Sequence, residues 1–156
     1  MQAAGILARV LPGVEARFLA PLIHLEPPYA PDWLRRLAVL GGGDPTDALR
    51  LSRAEARRFA ALGAALGSGE GPAAMAYRQG AEIARDAVLI TAATLSQPLP
   101  QGWEDAVARG ASAAFPLAAA DLMPALSGPA LGAKLHALEE RWIASGFELS
   151  REQLLS

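Results

Sequence analysis

Residues 52–66 read SRAEARRFAALGAAL, and this stretch decides the class of the fold. Ser52 and Glu55 form an S-x-x-E capping box, in which the serine oxygen accepts from the amide of residue 55 and the glutamate carboxylate accepts from the amide of residue 52. Behind the box, Phe59, Leu62 and Leu66 recur at spacings of three and four, the period of one helix face. The remaining positions are mostly Ala, the strongest helix former. The opposite side carries Arg53 and Arg57, four residues apart, with Arg58 beside them.

The same vocabulary extends in both directions. The 156 residues are 52% apolar but only 6% aromatic, so the core is built mainly from Ala and Leu. Almost no segment alternates apolar with polar residues, as a half-buried strand would. The expected fold is all-α, a multi-helical array of short helices without significant sheet.

Proline and glycine set the expected boundaries, because proline cannot donate to the helix ladder and glycine tolerates the turns that end it. Helices are expected from Ala3 to Leu11, from Ala16 to Leu25 before Pro27-Pro28, and from Pro31 to Leu40 before Gly41-Gly42-Gly43. The third places Trp33, Leu37 and Leu40 on one stripe. Asp44-Pro45 starts a brief turn to Leu49. Residues 67–71 form a Gly-rich break, expected to divide a helical subdomain at 1–66 from another at 72–156. Pro72 then opens a long helix to about Leu95, and Trp103 to Arg109 form a shorter one ended by Gly110. In the last helix, Leu131, Leu135, Leu138 and Trp142 make a core stripe behind Pro129. Gly146 is placed for a left-handed cap, and Ser150 with Gln153 forms another capping box.

Several kinds of chemistry are excluded or unsupported. Without Cys there is no disulfide framework, thiolate metal site or cysteine nucleophile. The N-terminal residues lack a charged start and a long apolar run, so they do not read as a signal peptide. No segment reaches the length of a membrane span. His24 and His136 have no ligand-spaced partners, and no G-x-S-x-G occurs. Gly41-Gly42-Gly43-Asp44 lacks the Lys-Ser/Thr ending of a phosphate loop and reads as a helix stop. Glu104-Asp105 and Glu139-Glu140 are adjacent pairs whose side chains diverge on a helix.

The formal net charge of −2 argues against a strongly basic protein, but the charge is unevenly distributed. Between Arg35 and Arg58, six Arg face Asp44, Asp47 and Glu55, a local excess of three positive charges. Planar guanidinium groups pair well with phosphate. A second anion candidate is Ser127-Gly128-Pro129, where a helix start presents free amides and Lys134 stands further along the helix.

The segment from Phe115 to Ser156 reads FPLAAADLMPALSGPALGAKLHALEERWIASGFELSREQLLS. Phe115-Pro116, Asp121-Leu122, Gly128-Pro129, Leu131-Gly132 and Trp142 resemble, in order, the C-terminal end of the CCA-adding tRNA nucleotidyltransferase and poly(A) polymerase family. ILARVLPG at 6–13, PDWLRRLAVL at 31–40 and LRLSRAEARRFAAL at 49–62 resemble earlier segments of that family in the same order. Two departures are Ala119, where the family usually has glycine, and Arg53, where it usually has asparagine.

The resemblance implies the helical body and tail of a four-part enzyme whose catalytic head and nucleotide-selecting neck are absent from this chain. Magnesium and CTP or ATP would be bound by those absent parts, so no cofactor is expected here. The implied partner is tRNA, held at the acceptor and T-arm backbone in a cytoplasmic setting, with neither DNA nor a membrane involved. The expected contacts are Arg50, Arg53, Arg57, Arg58, Gly128 and Lys134. Asp121 is expected to cap the short turn around Leu122, and Glu139, Glu140, Glu148 and Glu152 to face solvent. Two other readings stand beside this one: an A-adding or poly(A) polymerase-like relative, whose nucleotide choice is made upstream, and a helical adaptor that binds another protein.

Overall fold

The computed structural model describes Arg9, residues 11–123 and residues 125–156. The helix expected from Ala3 to Leu11 falls almost entirely outside these residues. Among the described residues the chain is all-α, 63% helical and without strands. Its helices are α1 (Leu19–Leu25), α2 (Trp33–Val39), α3 (Arg53–Ser68), α4 (Pro72–Gln79), α5 (Ala81–Leu95), α6 (Trp103–Ser112), α7 (Gly128–Ala144) and α8 (Arg151–Leu155). Two 3-10 turns, Ala16–Phe18 and Ala119–Asp121, precede α1 and α7.

Capping accounts for three of the starts. Asp32 accepts from the Arg35 amide at 2.7 Å and begins α2. The capping box of Ser52 and Glu55 is present in both directions at α3, and that of Ser150 and Gln153 at α8. At α4, Pro72 occupies a first-turn position where its missing amide costs no hydrogen bond.

The long helix expected from Pro72 to Leu95 is instead two. Gly80 takes φ 90° and ψ 161°, a conformation essentially reserved for glycine, and the chain turns there between α4 and α5. Because of that turn, α4 packs back against α5 and also against α6. Gly110 does not end α6, which runs on to Ser112; it is buried where α6 meets α4. A Cβ there would stand 2.7 Å from the Ala73 carbonyl carbon, so only glycine allows this approach.

Helix α5 is central, with α1, α2, α3, α4 and α6 packed around it. Its buried residues include Ile83, Ala84, Ala87, Val88, Leu89, Ile90, Ala92 and Ala93, which is why its sequence lacks a clean polar face. Leu22, Val39, Leu62, Met75 and Val107 close the core around it. Residues on both sides of 67–71 share this core. Tyr29, ahead of α2, packs edge-on against Trp103 and donates its hydroxyl to Glu104, tying the connection to α6.

A second apolar cluster forms beyond α6 from Leu117, Leu138, Trp142 and Leu154, with Phe115, Leu135 and Phe147 against it. Tyr77 of α4 joins it, with ring centroids 5.5 Å from Trp142 and 5.7 Å from Phe147. A third, small cluster links Leu34 and Leu37 of α2 with Leu51 and Phe59.

Candidate nucleic-acid interface

Arg35 occupies a position of α2 that points at α5, and it is only 3% exposed. Its guanidinium donates to Glu26 at 3.0 and 3.1 Å, to Asp86 at 2.9 Å and to the Ala30 carbonyl at 2.7 Å. Arg36 reaches the other side of Glu26, donating to Oε2 at 2.7 Å. Arg58 comes from α3 and donates to Asp32 Oδ2 and to Asp86 Oδ2, each at 2.8 Å, with Glu82 at 3.0 Å. Three guanidiniums and four carboxylates thus join α2, α3, α5 and the end of α1.

Within this network the carboxylates divide. Burial pushes the Glu26 carboxyl up, but the hydrogen bonds from Arg36 and Arg35 outweigh it and hold the group below its ordinary value. Burial also raises Asp32, and the Arg58 guanidinium with the Arg35 amide more than reverses this. At Asp86 burial prevails over both arginines, and its carboxyl is raised. Each buried charge is compensated by hydrogen-bonded partners, the condition under which an ion pair is tolerated in a core. Such carboxylates, saturated by arginine, do not fit a magnesium ion. Among the described residues no three of His, Asp and Glu gather as a metal site.

This network corrects the expectation for Arg58. Its side chain is held by carboxylates rather than displayed, and its Nε is buried without a partner. Arg50, Arg53 and Arg57, in contrast, are exposed, and among the described residues none forms an ion pair. Arg50 turns the chain into Leu51 with φ 51°, an uncommon conformation for a residue with a side chain. The basic face is therefore Arg50, Arg53 and Arg57 around the start of α3.

Gly128 and Lys134 are exposed on the opening turns of α7. The Ser127 side chain makes no capping bond there, and Gly128 has φ 58°. Helix α7 packs on the second 3-10 turn and on α8, whereas α3 packs on α2, α4 and α5. The two groups of expected contact residues stand at the starts of two helices, α3 and α7, that each pack against α4.

Of the acidic residues expected to face solvent, Glu140, Glu148 and Glu152 are exposed and Glu139 is half-buried. Glu139 accepts from the Tyr77 hydroxyl at 2.5 Å, and Glu140 accepts from Arg78, which also donates to Glu70 at 2.7 Å. Glu139 and Glu140 thus link α7 to α4, Glu140 while still exposed as expected. Burial and then Glu139 push the Tyr77 hydroxyl up to about 12. Asp121 has the structural role expected of it: it accepts from the Ala118 amide at 2.7 Å and from Arg151 of α8 at 2.7 Å. His24 and His136 are exposed, and His136 is 3.7 Å from Glu140.

Trp33 is the residue that periodicity misassigns most. It is 50% exposed, while Leu34 and Arg35 take the buried positions. The signal was present in Asp32, which as N-cap makes Trp33 the first helical residue, where little helix exists to cover it. The cleft lined by Phe18, Val39, Leu66, Ile90 and Leu95, about 490 Å³, has Glu15 as its sole ionisable residue and offers no acid-base pair. No helix among the described residues is long and apolar enough to cross a membrane. Neither protein families, nor curated proteins, nor solved structures provide a match to this chain.

Proposed function

We propose that this chain is a tRNA-gripping, non-catalytic C-terminal region of a nucleotidyltransferase that adds CCA to tRNA 3′ ends. The ordered motifs from ILARVLPG to Trp142 support the family reading. The observation that carries the RNA reading is the division among the arginines: Arg35, Arg36 and Arg58 are consumed by Glu26, Asp32 and Asp86, whereas Arg50, Arg53 and Arg57 have no such partners. Guanidiniums left over from folding, grouped at one helix start, suit the phosphates of an A-form stem, which proteins grip by shape and backbone rather than sequence. The exposed Gly128 amide and Lys134 supply a second, separate phosphate contact.

Titration of labelled tRNA with the purified chain between 50 and 200 mM salt tests this. Four cationic phosphate contacts, from Arg50, Arg53, Arg57 and Lys134, should give a log-log slope of about −3 to −4, because each releases condensed counterions. Absence of binding at the lowest salt, where such contacts are strongest, overturns the proposal. Incubation with tRNA, CTP, ATP and magnesium should leave the RNA unextended, since the carboxylates here are occupied by arginine. Choice between CTP and ATP belongs to the head and neck outside this chain.

A further inference from the structure

The chain has three tryptophans, and only one of them is displayed. Trp103 and Trp142 are 7% and 3% exposed, whereas Trp33 is 50% exposed at the first turn of α2. Two independent contacts fix where that turn stands. Arg58 of α3 donates to Asp32, the neighbour of Trp33, at 2.8 Å. Leu34 and Leu37 share an apolar cluster with Leu51 and Phe59. Both contacts set the start of α2 near the start of α3, where Arg53 and Arg57 are exposed and, among the described residues, form no ion pair. Asp32, next to Trp33, is already engaged by Arg58 and by the Arg35 amide, and Glu55, between Arg53 and Arg57, accepts from the Ser52 amide.

We infer that Trp33 is a stacking platform for an unpaired nucleotide of the RNA whose phosphates meet Arg53 and Arg57, an inference that rests on the RNA reading of that face. A paired stem keeps its bases inside and offers guanidiniums only phosphate. A flat, solvent-exposed indole at the neighbouring start of α2 adds a surface that suits an unstacked base at a chain end or loop. Stacking is indifferent to base identity, because every base has a π face. The partner is thus an RNA with a stem and an adjoining single-stranded nucleotide, held by charge along the stem and by Trp33 at the junction.

The tryptophan emission of the chain tests this directly, because its acrylamide-accessible part comes from Trp33. Adding tRNA with a single-stranded 3′ end at low salt should quench that emission and shield it from acrylamide. Trp33→Ala should weaken tRNA binding about tenfold at every salt concentration with an unaltered slope, since no counterion is released by stacking. Trp33→Phe should restore most of the affinity, and a blunt duplex of the same stem should bind wild type and Trp33→Ala equally. Melting should be unchanged in both variants. Unchanged emission on tRNA binding, equal affinity of Trp33→Ala for tRNA, or a Phe variant as weak as Ala would each overturn the inference while leaving the RNA reading intact. A dimeric wild type made monomeric by Trp33→Ala would assign the surface to a second copy and overturn it. If wild type binds no RNA at all, the RNA reading itself fails, which is a different result.

Discussion

Gly110 meets Ala73 so closely that a Cβ on the glycine would stand 2.7 Å from the Ala73 carbonyl carbon and overlap its oxygen. The obstacle is helical backbone of α4, which cannot rotate aside as a side chain would. Gly110→Ala should therefore cost about 3 kcal/mol or more, at the upper end of overpacking penalties. Thermal unfolding of the variant checks this, and a shift no larger than that of an exposed Ala substitution would show that α4 and α6 can separate freely.

The two classes of arginine predict two phenotypes. Arg53→Glu with Arg57→Glu should abolish tRNA binding at low salt and leave melting almost unchanged, because neither residue has an ion-pair partner to lose. Arg58→Met should do the reverse, destabilising the fold by about 2 to 3 kcal/mol because it takes one of two partners from each of Asp32 and Asp86. That figure is set below the range for fully buried pairs because Arg58 retains 23% exposure. Parallel denaturation and binding measurements separate the cases, and equal loss of binding in all variants without destabilisation by Arg58→Met would place Arg58 on the RNA instead.

Glu26 and Asp32 have lowered carboxyl values in the folded state, so each contributes stability that is present above its unfolded value and lost as pH falls through the folded one. Asp86 has the opposite sign: its raised value means protonation favours the folded state, offsetting some of that loss. Asp44, Glu55, Asp121 and Glu152 are likewise lowered by hydrogen bonds, so the melting temperature should fall on acidification below about pH 4, the ordinary carboxylate range. Glu26→Gln should lower stability at neutral pH by about 3 to 5 kcal/mol, since it weakens the compensation of buried Arg35. It should also flatten the acid limb. An acid limb identical to wild type would remove Glu26 from the account.

Trp142 is 3% exposed and packs against Tyr77, Phe115 and Phe147, with ring centroids 4.9 to 5.5 Å away. Trp142→Ala should cost about 3 to 5 kcal/mol, the usual loss for a buried aromatic. Retained near-wild-type melting would show that the aromatic group is not what holds the second cluster together.

Local signals were legible wherever the physics is local. The boxes at Ser52 and Ser150 announce α3 and α8 because their bonds lie within four residues. The stripe ending at Leu138 and Trp142 likewise follows from helical period. What sequence did not disclose depends on partners distant along the chain. Gly80 and Gly110 look alike as interruptions, yet one turns the backbone and the other admits a neighbouring helix, and only the position of Ala73 separates them. Arg35, Arg36 and Arg58 looked like members of one basic cluster because Asp86 is distant in sequence and Glu26 lies on the other side of the Pro27-Pro28 break. The exposure of Arg53 and Arg57 was legible from helix phase alone, whereas Arg58, one residue further round, required the fold to show its carboxylate partners.

Tyr77 grows out of α4 in the first core but packs its ring into the second, while Arg78 beside it binds Glu140. Apart from the covalent connection, these two consecutive side chains carry much of the grip between the central bundle and α7. Cooperativity should weaken across so narrow a bridge, making α7 and α8 a separate foldon that opens at lower free energy than α5. Native-state amide exchange would then divide the chain into two tiers, with protection on α5 surviving excursions that expose the amides of α7, and with Tyr77→Phe widening the gap between them.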